Sequence, residues 1–227
     1  MMLTTALTFS SLASAKKPGG EPPPDVDFTI VYRELENGSL YLSTDDGSVR
    51  LQITDPNLRG ADEPWDESPT FSPSGNHIAF LRNVSRQTSG LQLYVINADG
   101  TGEQLVTDFT RWPLDGNSVK EDTITWSPTE QEIVYCSDWE IYAVELATGM
   151  ERPLANFGTP VSDAEISWVR GELAFFLGGD IWRVPIDIDE NGLVMPLDLS
   201  QVVPMTFDGW DVRDQHPRFS PDEGLRK

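Results

Sequence analysis

Four carboxylates recur at one place relative to a repeated phrase. Asp66, Glu121, Asp163 and Asp214 each stand five residues before an aromatic, respectively Phe71, Trp126, Trp168 and Phe219. If a repeating fold places them at equivalent positions about an axis, they form a ring at the mouth of a central channel that would hold a cation or a basic segment of a partner. The competing reading is that each carboxylate accepts hydrogen bonds from the backbone of its own loop, as Asp does in turns.

A second acidic cluster has metal-ligand spacing. Asp187-Ile188-Asp189-Glu190-Asn191-Gly192 alternates oxygen donors before a glycine, and Asp198 stands where a calcium loop places its last ligand, so the candidate ligands are Asp187, Asp189, Asn191 and Asp198. Pro185 and Pro196 flank the segment and exclude the helices of an EF-hand. A solvated acidic turn is the alternative, so the expected cofactor is none or calcium.

Catalytic signals are poor. The chain contains no Gly-x-Ser-x-Gly, no His-Glu-x-x-His, no phosphate-binding Gly-x-x-x-x-Gly-Lys and no dinucleotide fingerprint. Its two histidines, His77 and His216, stand at different places in the repeat, and its single cysteine, Cys136, lies in an apolar run where a small buried hydrophobe is expected. No enzyme is expected on these grounds.

The elements that must position these residues are strands. From Phe28 onward no helical period is sustained, and short apolar runs recur between Gly, Pro, Asn and Asp. The phrases Ile30-Val31-Tyr32, Ile78-Ala79-Phe80, Ile133-Val134-Tyr135 and Leu173-Ala174-Phe175 are 40 to 55 residues apart. Each is followed by a second strand phrase, Leu40-Tyr41, Leu93-Tyr94, Ile141-Tyr142 or Ile181-Trp182, and then by a Gly-containing turn. An opening strand precedes three of them, at Thr70-Phe71-Ser72-Pro73, Thr125-Trp126-Ser127-Pro128 and Ser167-Trp168-Val169-Arg170; a further copy, Arg218-Phe219-Ser220-Pro221, has no phrase after it. Four strands in this period make a β-propeller blade. The fold class is therefore all-β, a propeller of four-stranded antiparallel blades, with repeats at about 28–60, 61–111, 112–158 and 159–208 and a partial one at 209–227.

Phe71-Ser72-Pro73-Ser74-Gly75-Asn76-His77-Ile78-Ala79-Phe80, with Leu93 to Gly102 and Leu105-Val106-Thr107 after it, resembles the WD40-like repeat of the TolB family. The resemblance implies that about four blades belong to a larger ring, commonly six-bladed; a closed four-bladed ring, completed by Arg218 to Ser220 beside the first repeat, is the alternative. It also implies a non-catalytic platform that docks a protein or peptide in the bacterial cell envelope. The reading from another class is the propeller of a prolyl-oligopeptidase or dipeptidyl-peptidase-like serine peptidase separated from its catalytic domain.

Charge and the N-terminus narrow the setting. With 37 acidic against 16 basic residues the net charge is −21, which repels nucleic acid and anionic lipid and favours a basic partner. Leu3 to Ala15 is apolar and small and ends in Ala13-Ser14-Ala15, the form of a signal-peptide cleavage site, and it is too short to span a bilayer. Residues 1–15 are therefore expected to be a signal peptide, 16–27 a Pro/Gly-rich linker, and the mature chain periplasmic or secreted.

Overall fold

A computed structural model describes residues 28–55, 64–83, 91–109, 124–137, 139–167, 169–206 and 217. The expected signal peptide and linker, Glu121, Asp214, His216 and the last opening phrase lie outside the described residues.

The described chain is almost entirely β and forms four antiparallel sheets, each with its strands in sequence order. The first sheet has three strands, β1 (Ile30–Arg33), β2 (Leu40–Ser43) and β3 (Arg50–Gln52). The second has four, β4 (Trp65–Phe71), β5 (His77–Asn83), β6 (Leu91–Asn97) and β7 (Gln104–Phe109). In the third are β8 (Ile124–Trp126), β9 (Glu132–Ser137), β10 (Glu140–Glu145) and β11 (Glu151–Asn156). The fourth comprises β12 (Val161–Ser167), β13 (Glu172–Leu177), β14 (Asp180–Pro185) and β15 (Val203–Pro204), with a 3-10 turn at Leu199–Gln201 before β15. Among the described residues the first sheet has no strand in the place of the one that opens the other three, as its sequence copy lacks the opening phrase.

Sequential order follows from the turns. Gly47, Gly100 and Gly149 take φ of 70°, 77° and 68° between the third and fourth strands of their repeats, a conformation that costs glycine little. The sheets then pack face to face. Leu40, Leu42 and Ile53 of the first repeat meet Ile78, Phe80 and Tyr94 of the second. Ala79, Leu81 and Leu93 of the second meet Ile133, Tyr135 and Tyr142 of the third. Val134, Ile141 and Ala143 of the third meet Leu173, Phe175 and Val184 of the fourth. The second and third sheets are thus covered on both faces, which explains why β5 and β9 read as continuous apolar runs and not as alternations. Each fully buried Phe or Leu in these layers contributes about 1.5–3 kcal/mol.

The four sheets are not closed into a ring. This corrects the four-bladed closed alternative: the stack runs from first sheet to fourth, and Ile30, on the face of the first sheet turned away from the second, stays 44% exposed.

Strand register also corrects the alignment of the fourth repeat. Phe71 pairs with Ile78, Trp126 with Ile133 and Ile166 with Leu173. The place of the opening aromatic is therefore held by Ile166 and not Trp168, and Ser167 is the counterpart of Ser72 and Ser127. All three serines are buried, and each hydroxyl accepts from a backbone N–H of the turn that follows, at His77, Glu132 and Arg170.

Candidate functional site

The carboxylate of Asp66 is inside the second sheet. Asp66 in β4 faces Arg82 in β5, and the guanidinium donates from Nε to Oδ1 at 2.6 Å and from Nη2 to Oδ2 at 2.9 Å. Arg82 also donates from Nη1 to Glu103 Oε1 at 2.7 Å and lies 4.5 Å from the centroid of the Tyr94 ring and 5.3 Å from that of Phe80. Both side chains are almost wholly buried, at 0% exposure for Asp66 and 2% for Arg82. Burial raises the Asp66 pKa, against the pull of Arg82. On Arg82 burial acts in the opposite sense, but its hydrogen bonds to Asp66 and Glu103 outweigh it and raise the pKa, so the cation stays charged. The planar fork and the ring faces fit arginine and not lysine. Asp66 is thus engaged inside its own sheet.

Asp163 occupies a different place. It lies in the bulge of β12, where pairing jumps from Ser162 to Glu165, with φ of 55° and its Oδ2 accepting from Ser162 Oγ at 2.6 Å. The bulge of β4 falls between Glu67 and Thr70, where Ser68 has φ of 51°. Asp163 is therefore the counterpart of Ser68, and Val161 is the counterpart of Asp66. The structure does not bring Asp66 and Asp163 to equivalent positions around an axis, and the other two proposed members, Glu121 and Asp214, lie outside the described residues.

The calcium-like spacing is used for turns. Asp189 Oδ1 accepts from the backbone N–H groups of Asn191 at 2.9 Å and Leu193 at 2.8 Å, and those bonds lower its pKa. Asp198 caps the 3-10 turn, accepting from Gln201 Nε2 and from Ser200 Oγ and N, and its pKa is lowered by these bonds. Asp187 contributes its carbonyl to Met195 N–H at 2.8 Å. Among the described residues no group of three or more His, Cys, Asp or Glu side chains gathers in a metal-holding arrangement.

What this segment does hold is the neighbouring sheet. Ile188 and Val194 bridge to make a small hairpin, and Val194 N–H donates to Glu132 Oε2 at 2.6 Å. Glu132, at the start of β9 and fully buried, accepts from Arg152 Nη2 at 2.8 and 3.0 Å, and Arg152 donates onward to the Val194 carbonyl. Ile186, Val194 and Leu197 enter the core between the third and fourth sheets. Glu132 and Arg152 were not singled out in the sequence; a Glu heading an apolar strand phrase was the available signal.

His77 has a bracing position as well. Its Nδ1 is 3.7 Å from Glu130 Oε2, its ring centroid is 6.3 Å from that of Trp126, and Glu130 accepts from both Ser74 N–H and Ser74 Oγ. Ser74 thus donates to the carboxylate and not to the histidine, so the trio ties turns of the second and third repeats and does not form a base-activated nucleophile. Burial pushes the Cys136 thiol pKa well up, which keeps it protonated and unreactive.

No protein-family model and no curated protein matches the chain. Solved structures do. The chain is similar to a TolB protein from Agrobacterium tumefaciens at a TM-score of 0.51 and 18% identity, covering 75% of this chain and 56% of that one. It is similar to a luciferin-regenerating enzyme at 0.50 and 13% identity, covering 74% and 56%. It also matches TolB from Acinetobacter baumannii at 0.49 and 19% identity, covering 73% of this chain and 40% of that one. The chain therefore has a TolB-like β-propeller fold and spans roughly half the length of these proteins.

Proposed function

We propose that this chain is a non-catalytic binding platform whose acidic propeller surface receives a protein or peptide rich in Lys and Arg. One observation carries the reading. Arg33, Arg50, Arg82, Arg152 and Arg183 are each paired with a carboxylate of the same chain, so intramolecular pairs occupy these cations in a chain whose net charge is −21. Such a field attracts and orients a basic partner and repels acidic ones. Fluorescence anisotropy with a labelled Lys/Arg-rich peptide and a Glu-rich peptide of equal length tests it. Binding of the first and not the second is expected; binding of neither, or of both equally, would sink the reading.

Export belongs to the same proposal. It is supported by the apolar run to Ala13-Ser14-Ala15. Mass spectrometry of the mature chain is expected to find Lys16 at its start, and retention of residues 1–15 would contradict export by cleavage.

A further inference from the structure

The sequence contains two Asn-Gly pairs, Asn37-Gly38 and Asn191-Gly192. Such a pair carries a chemistry that needs no enzyme. The backbone nitrogen after an asparagine attacks the side-chain amide carbon, and glycine, with no Cβ, leaves that nitrogen the most open to react. As the new N–C bond forms, the Cγ–Nδ2 bond breaks and ammonia leaves. The cyclic imide then takes up a water and opens to an aspartyl or an isoaspartyl residue. Water enters and ammonia departs, with nothing oxidised or reduced.

The fold holds the two asparagines differently. At Asn37 both ends of the side-chain amide are engaged: Oδ1 accepts from Ser39 N–H at 3.0 Å, and Nδ2 donates to the Tyr41 hydroxyl at 3.0 Å. Gly38 is buried, and a Cβ there would lie 2.7 Å from that of Trp65. Asn191 is exposed. Among the described residues its side-chain amide makes one contact, from Nδ2 to Asp189 Oδ2 at 3.5 Å, longer than an ordinary hydrogen bond. Both glycine N–H groups close turns, Gly38 onto the Glu34 carbonyl at 2.9 Å and Gly192 onto that of Asp189 at 3.0 Å. The attacking nitrogen is therefore restrained alike in the two pairs. The difference is in the carbon it must reach, which is pinned in Asn37 and able to turn in Asn191.

We propose that Asn191 is a site of spontaneous deamidation and that its conversion loosens the brace between the third and fourth repeats. The turn around it is closed tightly. Asp189 N–H donates to the Leu193 carbonyl at 2.9 Å, and Asp189 Oδ1 accepts from the N–H groups of Asn191 and Leu193. An isoaspartyl link routes the backbone through the former side chain and adds a methylene inside that span. Either product also sets a carboxylate oxygen where the amide Nδ2 faced Asp189 Oδ2, so like charges replace a donor and its acceptor. The strain does not stay in the turn. The Gly192 carbonyl accepts from Thr129 Oγ1 at 2.5 Å, and Val194 N–H donates to the buried Glu132, so a displaced turn pulls on the third repeat.

Peptide mapping by mass spectrometry of the folded chain, sampled during incubation at mildly alkaline pH where the glycine amide loses its proton more readily, tests this. Conversion at Asn191 is expected to run about tenfold or more faster than at Asn37, because two hydrogen bonds hold the Asn37 amide out of reach. In urea the two rates are expected to converge, since the fold and not the local sequence sets them apart. The incubated chain is expected to melt below the fresh one. Asn191→Gln, whose longer side chain closes the imide far more slowly, is expected to keep its melting temperature through the same incubation. No conversion at Asn191, equal rates at the two sites in the folded chain, or a rate ratio that urea leaves unchanged would overturn the proposal. So would an incubated chain that melts like the fresh one, or an equal drop in Asn191→Gln.

Discussion

At Asp66 the fold sets a carboxylate in an apolar layer and makes it tolerable with one arginine. Removing that arginine leaves a buried charge without its counter-ion, the costly half of a buried pair. Arg82→Met is expected to lower unfolding free energy by about 3–5 kcal/mol, read from the urea midpoint. Asp66→Leu together with Arg82→Met is expected to recover most of the loss, because the pair's coulombic gain roughly offsets its desolvation. A single variant as stable as wild type would show that the pair is hydrated and not buried. Sequence spacing marked Asp66 as notable but not its role, since its partner is reached only across a strand pair. The same holds for Glu132, whose partner Arg152 is on β11 and whose second donor, Val194, comes from another repeat.

Among the elements, the hairpin from Ile186 to Leu197 joins two sheets through its backbone, and Gly192 is its tightest point. Its φ is +88°, and a Cβ there would lie 2.5 Å from Gln131 Nε2. Gly75 also has positive φ, +73°, with nothing within 4 Å of the added carbon. Alanine in place of Gly75 should therefore carry the backbone strain alone, roughly 1–2 kcal/mol, whereas Gly192→Ala adds displacement of Gln131 and should melt lower. Equal melting temperatures would mean that the Gln131 side chain swings aside without cost. The strands themselves were legible because each recurring phrase puts an aromatic on one face and small apolar residues on the other. The register of the fourth repeat was not. Shifting an opening strand by two residues, from Ile166 to Trp168, leaves every side chain on the same face, so alternation cannot distinguish the two placements. That offset also separated Asp163 from the place of Asp66. The calcium-like spacing carries two readings for a related reason, since Asp and Asn at alternate positions before a glycine serve a capped turn as well as a cation.

For the whole molecule, sheet order and charge were both visible beforehand, from the repeat period and from the acidic excess. The sequence left openness between two readings, four blades of a larger ring or a closed ring of four, and the unclosed sheets agree with the first. The assembled picture is a set of propeller sheets that ties Arg33, Arg50, Arg82, Arg152 and Arg183 to its own carboxylates in a chain of net charge −21. The most direct measurement is the affinity of the Lys/Arg-rich peptide across a series of salt concentrations. Affinity should fall steadily as salt rises, because the interaction is between exposed opposite charges and is screened over about 10 Å at 0.1 M. Affinity unchanged by salt, or rising with it, would contradict an acidic surface as the basis of recognition.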